Sequence, residues 1–432
     1  MLSATELLQE LIRFDTTNPP GNETACIGFV RDYLERAGFE TQTYAKDPAR
    51  PNLIARLEGD GRAAPLLLQG HVDVVTTAGQ HWTYPPFEGR LADGAIWGRG
   101  ALDMKAGVAM LVTAFVRAKT EGVRPPGDLL LCVLADEEAG GDLGARFLVE
   151  EHPELFAGIR FALGEFGGFS LTTGGKRFYP IQVAEKQICW LNATVRGAGG
   201  HGALINRGGT MARLGKLLRE LDRGRLPVHV TPVVRESVET MAAALPRAQG
   251  TVLRSLLKPR FTDAALRLLG ANAKLFEPQL RNTVNATVLR GGEKINVVPS
   301  EIHLELDGRS LPGFGPEALM EELRDLVGDD IELEIVRHDP GPAEPDLGLF
   351  DTLAAVLREL DPEGIPVPLL QVGVTDGRFF SRLGIQNYGF LPMRLPEGFA
   401  FTSLIHAADE RIPVEALEFG AEAVWRAVQR FD

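Results

Sequence analysis

The chain has 432 residues, 44% of them apolar and 24% charged, with a formal net charge of −13. That length exceeds what a single hydrophobic core sustains, so two or three domains are expected, and the apolar share leaves no room for bulk disorder. The acidic balance, with no clustered basic surface, excludes nucleic acid as a partner.

The opening Met1-Leu2-Ser3-Ala4-Thr5-Glu6 lacks the basic start and cleavage site of a signal peptide, and no apolar run approaches the ~20 residues that span a bilayer. A soluble, cytoplasmic protein with no membrane partner is expected. Leu7, Leu8, Leu11 and Ile12 recur at helical spacing and predict an amphipathic first helix, which ends at the breaker Asn18-Pro19-Pro20-Gly21. A second helix carries Ile27, Val30, Tyr33, Leu34 and Ala37 and stops at Gly38, a residue suited to a left-handed C-cap. Strands are expected at 39–44 and 53–57.

Three stretches between 66 and 138 organise the rest of the chain. Leu66-Leu67-Leu68-Gln69-Gly70-His71-Val72-Asp73 is an apolar run that stops at His-x-Asp. Gly98-Arg99-Gly100-Ala101-Leu102-Asp103 is a glycine-rich turn that carries an aspartate to the start of a small-residue helix over 105–120. Leu129-Leu130-Leu131-Cys132-Val133-Leu134-Ala135 ends in Asp136-Glu137-Glu138. Further on, Phe161-Ala162-Leu163-Gly164 ends in Glu165. Continuous apolar runs fit strands buried on both faces, as in a parallel sheet, where ligands collect at the carboxyl ends.

The pattern changes near 187. An alternating strand at 188–195 leads through Gly200-His201-Gly202 to a helix near 210–221 and a Leu/Ala/Arg-rich helical insert at about 230–280. Strands at 283–289 and 302–306, a helix near 316–326 and a strand at 331–336 complete the order of a split βαβ, ferredoxin-like module. Asp339-Pro340-Gly341-Pro342 reads as a linker, after which helix–strand alternation resumes and should complete the first sheet. The predicted division is a discontinuous domain of 1–187 and 340–432 with a smaller domain of 188–339 inserted. Cys26, Cys132 and Cys189 are widely spaced among apolar residues and read as buried free thiols.

His71, Asp103, Glu138, Glu165 and His406 offer five ligand groups of the kind zinc accepts. Five are too many for one ion and suit two if one carboxylate bridges, and a two-metal site generates hydroxide near neutral pH. Asp73, two residues past His71, can accept the imidazole's other proton. Of the neighbours Glu137 and Glu138, only one can point straight at a metal from a strand end, which frees the other to handle a proton. His81, His152, His229, His303 and His338 lack acidic strand-end company and read as structural or surface residues.

These motifs resemble the co-catalytic zinc peptidase and amidohydrolase family that includes acetylornithine deacetylase, succinyl-diaminopimelate desuccinylase, aminoacylase, glutamate carboxypeptidase and carboxypeptidase S. The resemblance covers nearly the whole chain. It extends through Gly200-His201-Gly202, Asn296-Val297-Val298-Pro299, Asp307-Gly308-Arg309, Gly373-Val374-Thr375-Asp376-Gly377-Arg378-Phe379 and the His406 segment. It implies an α/β fold: a catalytic domain with a mostly parallel central sheet flanked by helices, plus an inserted ferredoxin-like α+β lid and dimerisation domain.

The resemblance further implies that His71 and Glu165 complete one metal, Glu138 and His406 the other, with Asp103 bridging and followed by a cis peptide. Glu137 would be the general base, and Asp73 would orient His71. His201 and Asn285 would polarise the substrate, and Arg309 would clamp its terminal carboxylate, a task the guanidinium fork suits. The implied cofactors are two divalent ions, zinc first, with cobalt or manganese as substitutes. Implied partners are a small-molecule or short-peptide substrate and a second copy of the chain through the lid. After His201 the family often shows a proline, whereas Ala203-Leu204-Ile205-Asn206 stand here. The insert is most like that of carboxypeptidase S and related N-acyl amino acid hydrolases. The expected reaction is therefore hydrolysis of the amide bond of N-acyl amino acids or small peptides with a free carboxylate. The alternatives are a deacylase of one biosynthetic intermediate and a metal-binding protein that holds such molecules without turnover.

Overall fold

The computed structural model describes residues Met1–Asp432. The strands that build its two large sheets are, in chain order, β1 (Thr41–Tyr44), β2 (Asn52–Leu57), β3 (Leu66–His71), β4 (Leu129–Leu134), β5 (Phe161–Gly164), β6 (Leu171–Thr173) and β7 (Lys176–Glu185). They continue as β8 (Gln187–Arg196), β9 (Thr283–Arg290), β10 (Glu301–Ser310), β11 (Glu332–Asp339), β12 (Gly364–Gln371) and β13 (Gln386–Gly389). The chain divides into one compact unit of Met1–Val183, Pro345–Leu369 and Thr375–Asp432, and a second of Ala184–Glu344 with Leu370–Val374.

In the first unit the sheet order is β1-β2-β4-β3-β5-β13-β7-β12, with β6 on β7. The centre, β4-β3-β5-β13, is parallel, while β1, β2 and β7 pair antiparallel at the flanks. Every residue of β3 and β4 is buried, which is why their sequences are unbroken apolar runs rather than alternating ones. The helix Lys105–Thr120 is buried on almost every side and packs on Val414–Ala427 and Ala4–Ile12. Its glycine and alanines permit that close approach. The first helix starts at a capping box in which Ser3 Oγ accepts from Glu6 N–H and the Glu6 carboxylate accepts from Ser3 N–H. It then buries Leu7, Leu8, Leu11 and Ile12 completely, at roughly 1.5–3 kcal/mol of transfer free energy for each side chain.

The second unit is a four-stranded antiparallel sheet in the order β9-β10-β8-β11. Helices Thr210–Arg223 and Pro316–Val327 pack on the face bearing Leu191, Ala193, Val195, Leu304 and Leu306. This order and helix placement are those of the split βαβ module. The insert folds as helices Pro232–Ala244, Arg247–Ser255 and Pro259–Leu269. Its return to the sheet is fixed by Lys186, whose buried ammonium donates to the carbonyls of Pro278 (3.0 Å) and Arg281 (2.9 Å) and to Thr283 Oγ1 (2.9 Å). Burial presses the Lys186 pKa down to about 7. Three well-placed oxygens nevertheless match the three protons of the ammonium form. The three cysteines are buried and unpaired, and no helix is long and apolar enough to cross a membrane.

Candidate metal centre

Three of the parallel strands deliver ligand groups at their carboxyl ends. His71 is the last residue of β3, opposite Leu134 of β4. Beyond β4, Asn52 holds the chain by accepting from Ala135 N–H (3.0 Å) and donating to Leu143 O (2.9 Å). Asp136 then takes a φ of 72° and turns the chain into a short 3-10 segment carrying Glu137 and Glu138. Glu165 follows β5 directly, and the next residue, Phe166, has a φ of 63°. Asp103 precedes the helix Lys105–Thr120, and the Asp103–Met104 peptide is cis. His406 has a φ of 62°. Left-handed backbone costs non-glycine residues of order 1–3 kcal/mol and persists where surrounding contacts enforce it. Here it occurs at, or next to, three of the acidic and histidine side chains.

The side chains meet around Asp103. Its Oδ1 lies 3.3 Å from His71 Nε2, and its Oδ2 lies 3.2 Å from His406 Nε2. Glu165 Oε2 stands 3.3 Å from His71 Nε2, and Glu138 Oε2 stands 3.3 Å from His406 Nε2. Each oxygen of one carboxylate thus faces a different histidine–glutamate corner. A tetrahedral ion with bonds of ~2.0–2.1 Å has ligand-to-ligand edges of about 3.3–3.4 Å, and the histidine-to-carboxylate distances of both corners come close to that. Glu138 Oε1 is buried with no hydrogen-bond partner, as expected of an oxygen reserved for a cation. The residues therefore fit a pair of divalent ions. Glu137 Oε2 lies 3.9 Å from His71 Nε2 and Oε1 3.8 Å from Arg378 Nη1, and the ligand atoms of His71, Glu137 and Glu165, like those of His71, Asp103 and Glu138, lie within 4.8 Å of one another, close enough to hold an ion.

Burial and the hydrogen bonds within the cluster shift the proton affinities of its members. Burial opposes the His71 imidazolium, but its hydrogen bonds to Asp103, Asp73 and Glu165 outweigh that and raise its pKa well above the usual histidine range. His406 is pushed up to about 10 by its hydrogen bonds to Asp103 and Glu138. Asp103 is raised by burial, yet its bonds to the two histidines hold it well below the usual carboxylate range. Burial pushes Glu138 up to about 7, and burial with the nearby Glu165 raises Glu137 well above the ordinary glutamate value.

Asp73 departs from the expected arrangement. His71 Nδ1 is 3.0 Å from the main-chain oxygen of Asp73, and the carboxylate is further away at 3.5 Å. The carboxylate is engaged elsewhere: it accepts the backbone N–H groups of Glu137 and Glu138, both at 3.1 Å, and Asn18 Nδ2 at 2.9 Å. Asp73 therefore fixes both glutamates as well as the imidazole, a contact across 64 residues that no local spacing reveals.

Two residues of the Gly373–Phe379 motif also stand beside the cluster. Asp376 is buried with neither oxygen hydrogen-bonded, and burial pushes it up to about 8. Arg378 donates to Thr375 O and Gly140 O, each at 2.8 Å, and so braces the turn that follows Glu138. An apolar wall of Met104, Phe166, Phe169, Leu391, Phe401 and Ile405 lies against Asp103 and Glu165, with the Phe169 and Phe401 rings stacked 4.1 Å apart.

His201, Asn285 and Arg309 belong to the second unit. His201 is exposed on a two-residue strand paired with Val297–Val298. Asn285 is exposed on β9, opposite Asp307. Arg309 is gripped by Asp307, which accepts from Nε at 2.7 Å and from Nη2 at 3.2 Å, leaving Nη1 buried without a partner. Among the remaining histidines, His229 bonds Glu322 (2.5 Å) and His338 bonds Gln187 (3.1 Å), both structural contacts.

The profile of peptidase family M20/M25/M40 matches residues 67–430. Aminoacylase-1 of Sus scrofa is 27% identical over 421 residues, covering 94% of this chain and 89% of that protein. The N-fatty-acyl-amino acid synthase/hydrolase PM20D1 of Homo sapiens is 27% identical over 386 residues, covering 86% of this chain and 75% of that protein. Among solved structures, an M20 family metallo-carboxypeptidase, Sso-CP2, from Sulfolobus solfataricus superposes with a TM-score of 0.72 at 15% identity over 99% of both chains.

Proposed function

The chain belongs to peptidase family M20/M25/M40, and from that premise we propose that it is a two-metal hydrolase of N-acyl amino acids or small peptides with a free carboxylate. The observation that carries this reading is Asp103, whose two oxygens each face a separate histidine–glutamate corner. His71, Glu165 and Asp103 would hold one ion, and His406, Glu138 and Asp103 the other, zinc being the ion we assign. When bound, such a pair supplies Lewis-acid polarisation of the scissile carbonyl and lowers the pKa of water.

The chain's own groups then do the rest. Glu137 takes a proton from the attacking water and passes it to the leaving nitrogen as the C–N bond breaks and the water oxygen joins the carbonyl carbon. Its raised pKa suits a group that must both accept and return a proton near neutrality. Asp73 holds Glu137 and Glu138 in place through their amides. His201 and Asn285 are assigned to polarise the substrate. Arg309 is assigned to its carboxylate, a role supported by the free Nη1 that the Asp307 fork leaves.

A cytoplasmic location fits the three free thiols. Self-association through the second unit is supported by exposed Leu204, Ile205, Leu289, Ile295 and Val297. The reading is tested by amine release from a panel of N-acyl amino acids, dipeptides and their amidated counterparts. Turnover confined to one biosynthetic N-acyl diamino acid, of the acetylornithine or succinyl-diaminopimelate type, would favour a dedicated deacylase, and binding without turnover a non-catalytic protein.

A further inference from the structure

The loop that carries Asp103 and the loop that carries His406 are tied together by residues to which no role has been given. The segment Arg411–Pro413 pairs antiparallel with Ala95–Trp97, and Gly98 N–H donates to Glu410 O at 2.9 Å. That register turns the Glu410 side chain inward beneath the glycine-rich turn, where it is fully buried. Its Oε1 accepts two consecutive backbone N–H groups, those of Leu102 (2.7 Å) and Asp103 (3.1 Å). Its Oε2 accepts from Arg99 Nη1 at 2.5 Å. Arg99, equally buried, donates its other arm to Gln80 Oε1 at 2.8 Å, and Gln80 Nε2 donates to the main-chain oxygen of His406 at 2.8 Å.

A buried carboxylate must be paired, and Arg99 alone would satisfy that need. Glu410 instead gives one whole oxygen to the two amides that set where Asp103 stands. Asp73 likewise holds two consecutive amides, those of Glu137 and Glu138, one on each oxygen. The glutamate-bearing turn and the aspartate-bearing turn are therefore each clamped by a buried acid that does not itself reach the cluster centre. We infer that Glu410 is a positioning residue for Asp103, and that through Arg99 and Gln80 it fixes the Asp103 and His406 loops in one register for metal binding. This rests on the two-metal reading above.

The network makes unequal demands on the two corners. Asp103 is common to both, so Glu410→Gln should weaken both ions by about 10–100-fold, the usual effect of losing a partner behind a metal ligand. Gln80 touches only the His406 carbonyl and Arg99 and is part-exposed. Gln80→Ala should therefore weaken one ion by about tenfold, leave the other at its wild-type affinity and leave metal-free thermal unfolding unchanged.

The experiment is titration of the chelator-stripped full chain with Co2+, following ions bound per chain and the visible absorption of each site, for wild type, Glu410→Gln, Glu410→Asp and Gln80→Ala. A split response in Gln80→Ala, together with weaker binding of both ions in Glu410→Asp than in wild type, supports the inference whether or not Glu410→Gln folds; where it folds, Glu410→Asp should lie between it and wild type. Two ions bound with wild-type affinities in Gln80→Ala and Glu410→Asp overturn it, because the network would then be ordinary scaffolding. Wild-type chain that takes up fewer than two ions overturns the two-metal reading and this inference with it.

Discussion

Glu137 and Glu138 are neighbours of identical chemistry that stand differently in the cluster, and the proposed roles separate them. Glu138 Oε2 faces His406 at 3.3 Å and its Oε1 is buried and unpaired, whereas Glu137 approaches no nitrogen closer than 3.8 Å. Glu137→Gln keeps the side chain's size and the backbone bond to Asp73, so no ligand is lost. Only the basic oxygen goes. The variant should retain its full metal content while kcat falls by roughly 10²–10⁴-fold, equivalent to about 2.7–5.5 kcal/mol of barrier. Glu138→Gln removes a charge from one corner and should weaken that ion by at least the ~10–100-fold seen when a mere supporting partner is lost. Its activity should recover in excess zinc. Elemental analysis and kcat measured on both variants decide the matter. Metal loss in the Glu137 variant with retention in the Glu138 variant would refute the assignment.

Arg309→Ala should lower kcat/KM by about 1.5–3 kcal/mol for substrates with a free carboxylate and leave amidated ones nearly unaffected; Lys should rescue poorly because it lacks the fork. Equal losses on both substrate kinds, measured by initial rates, would mean Arg309 holds the fold instead. Metal affinity should rise with pH across neutrality: His406, pushed up to about 10, and Glu138, pushed up to about 7, hold protons that a cation must displace. Calorimetry in buffers of different ionisation heat should therefore register proton release on binding, and no buffer dependence at pH 7 would contradict it. Arg50 is buried between Glu23 (2.6 Å) and Asp136 (3.1 Å). Arg50→Met strands buried Glu23 and takes one partner from Asp136, which keeps Asn18 and the Leu143 amide, and should cost about 3–5 kcal/mol in denaturant unfolding, with a loss under 1 kcal/mol counting against the network.

Much of the first unit was legible because its strands are buried on both faces, and unbroken Leu/Val runs that stop at His71, Asp136 and Glu165 leave few other readings. The ferredoxin-like order of the second unit came equally from alternation and helix spacing. What escaped was everything fixed by long-range contact. Asp73 sits two residues from His71, which suggests an imidazole partner, yet its carboxylate serves amides 64 and 65 positions away. Glu410 follows Ala407-Ala408-Asp409 with no apolar run before it to mark a strand end, and only the pairing of Arg411–Pro413 with Ala95–Trp97 turns it inward. Asp376 and Arg378 stand in a matching motif, but their burial and their closeness to the turn of Glu137 and Glu138 are three-dimensional facts. Asp307 shows the same limit: its grip on Arg309 is local, yet only the folded structure reveals which guanidinium nitrogen stays free.

The central claim is that amide hydrolysis by this chain needs two ions held on either side of Asp103. The most direct test strips the protein with chelator and adds zinc in steps, measuring ions per chain by elemental analysis alongside amine release from an N-acyl amino acid it turns over. Activity that is absent without metal and reaches its plateau as the second ion binds is the predicted result. Full activity at well under one ion per chain, or two bound ions with no amine released from any free-carboxylate substrate, would contradict the account.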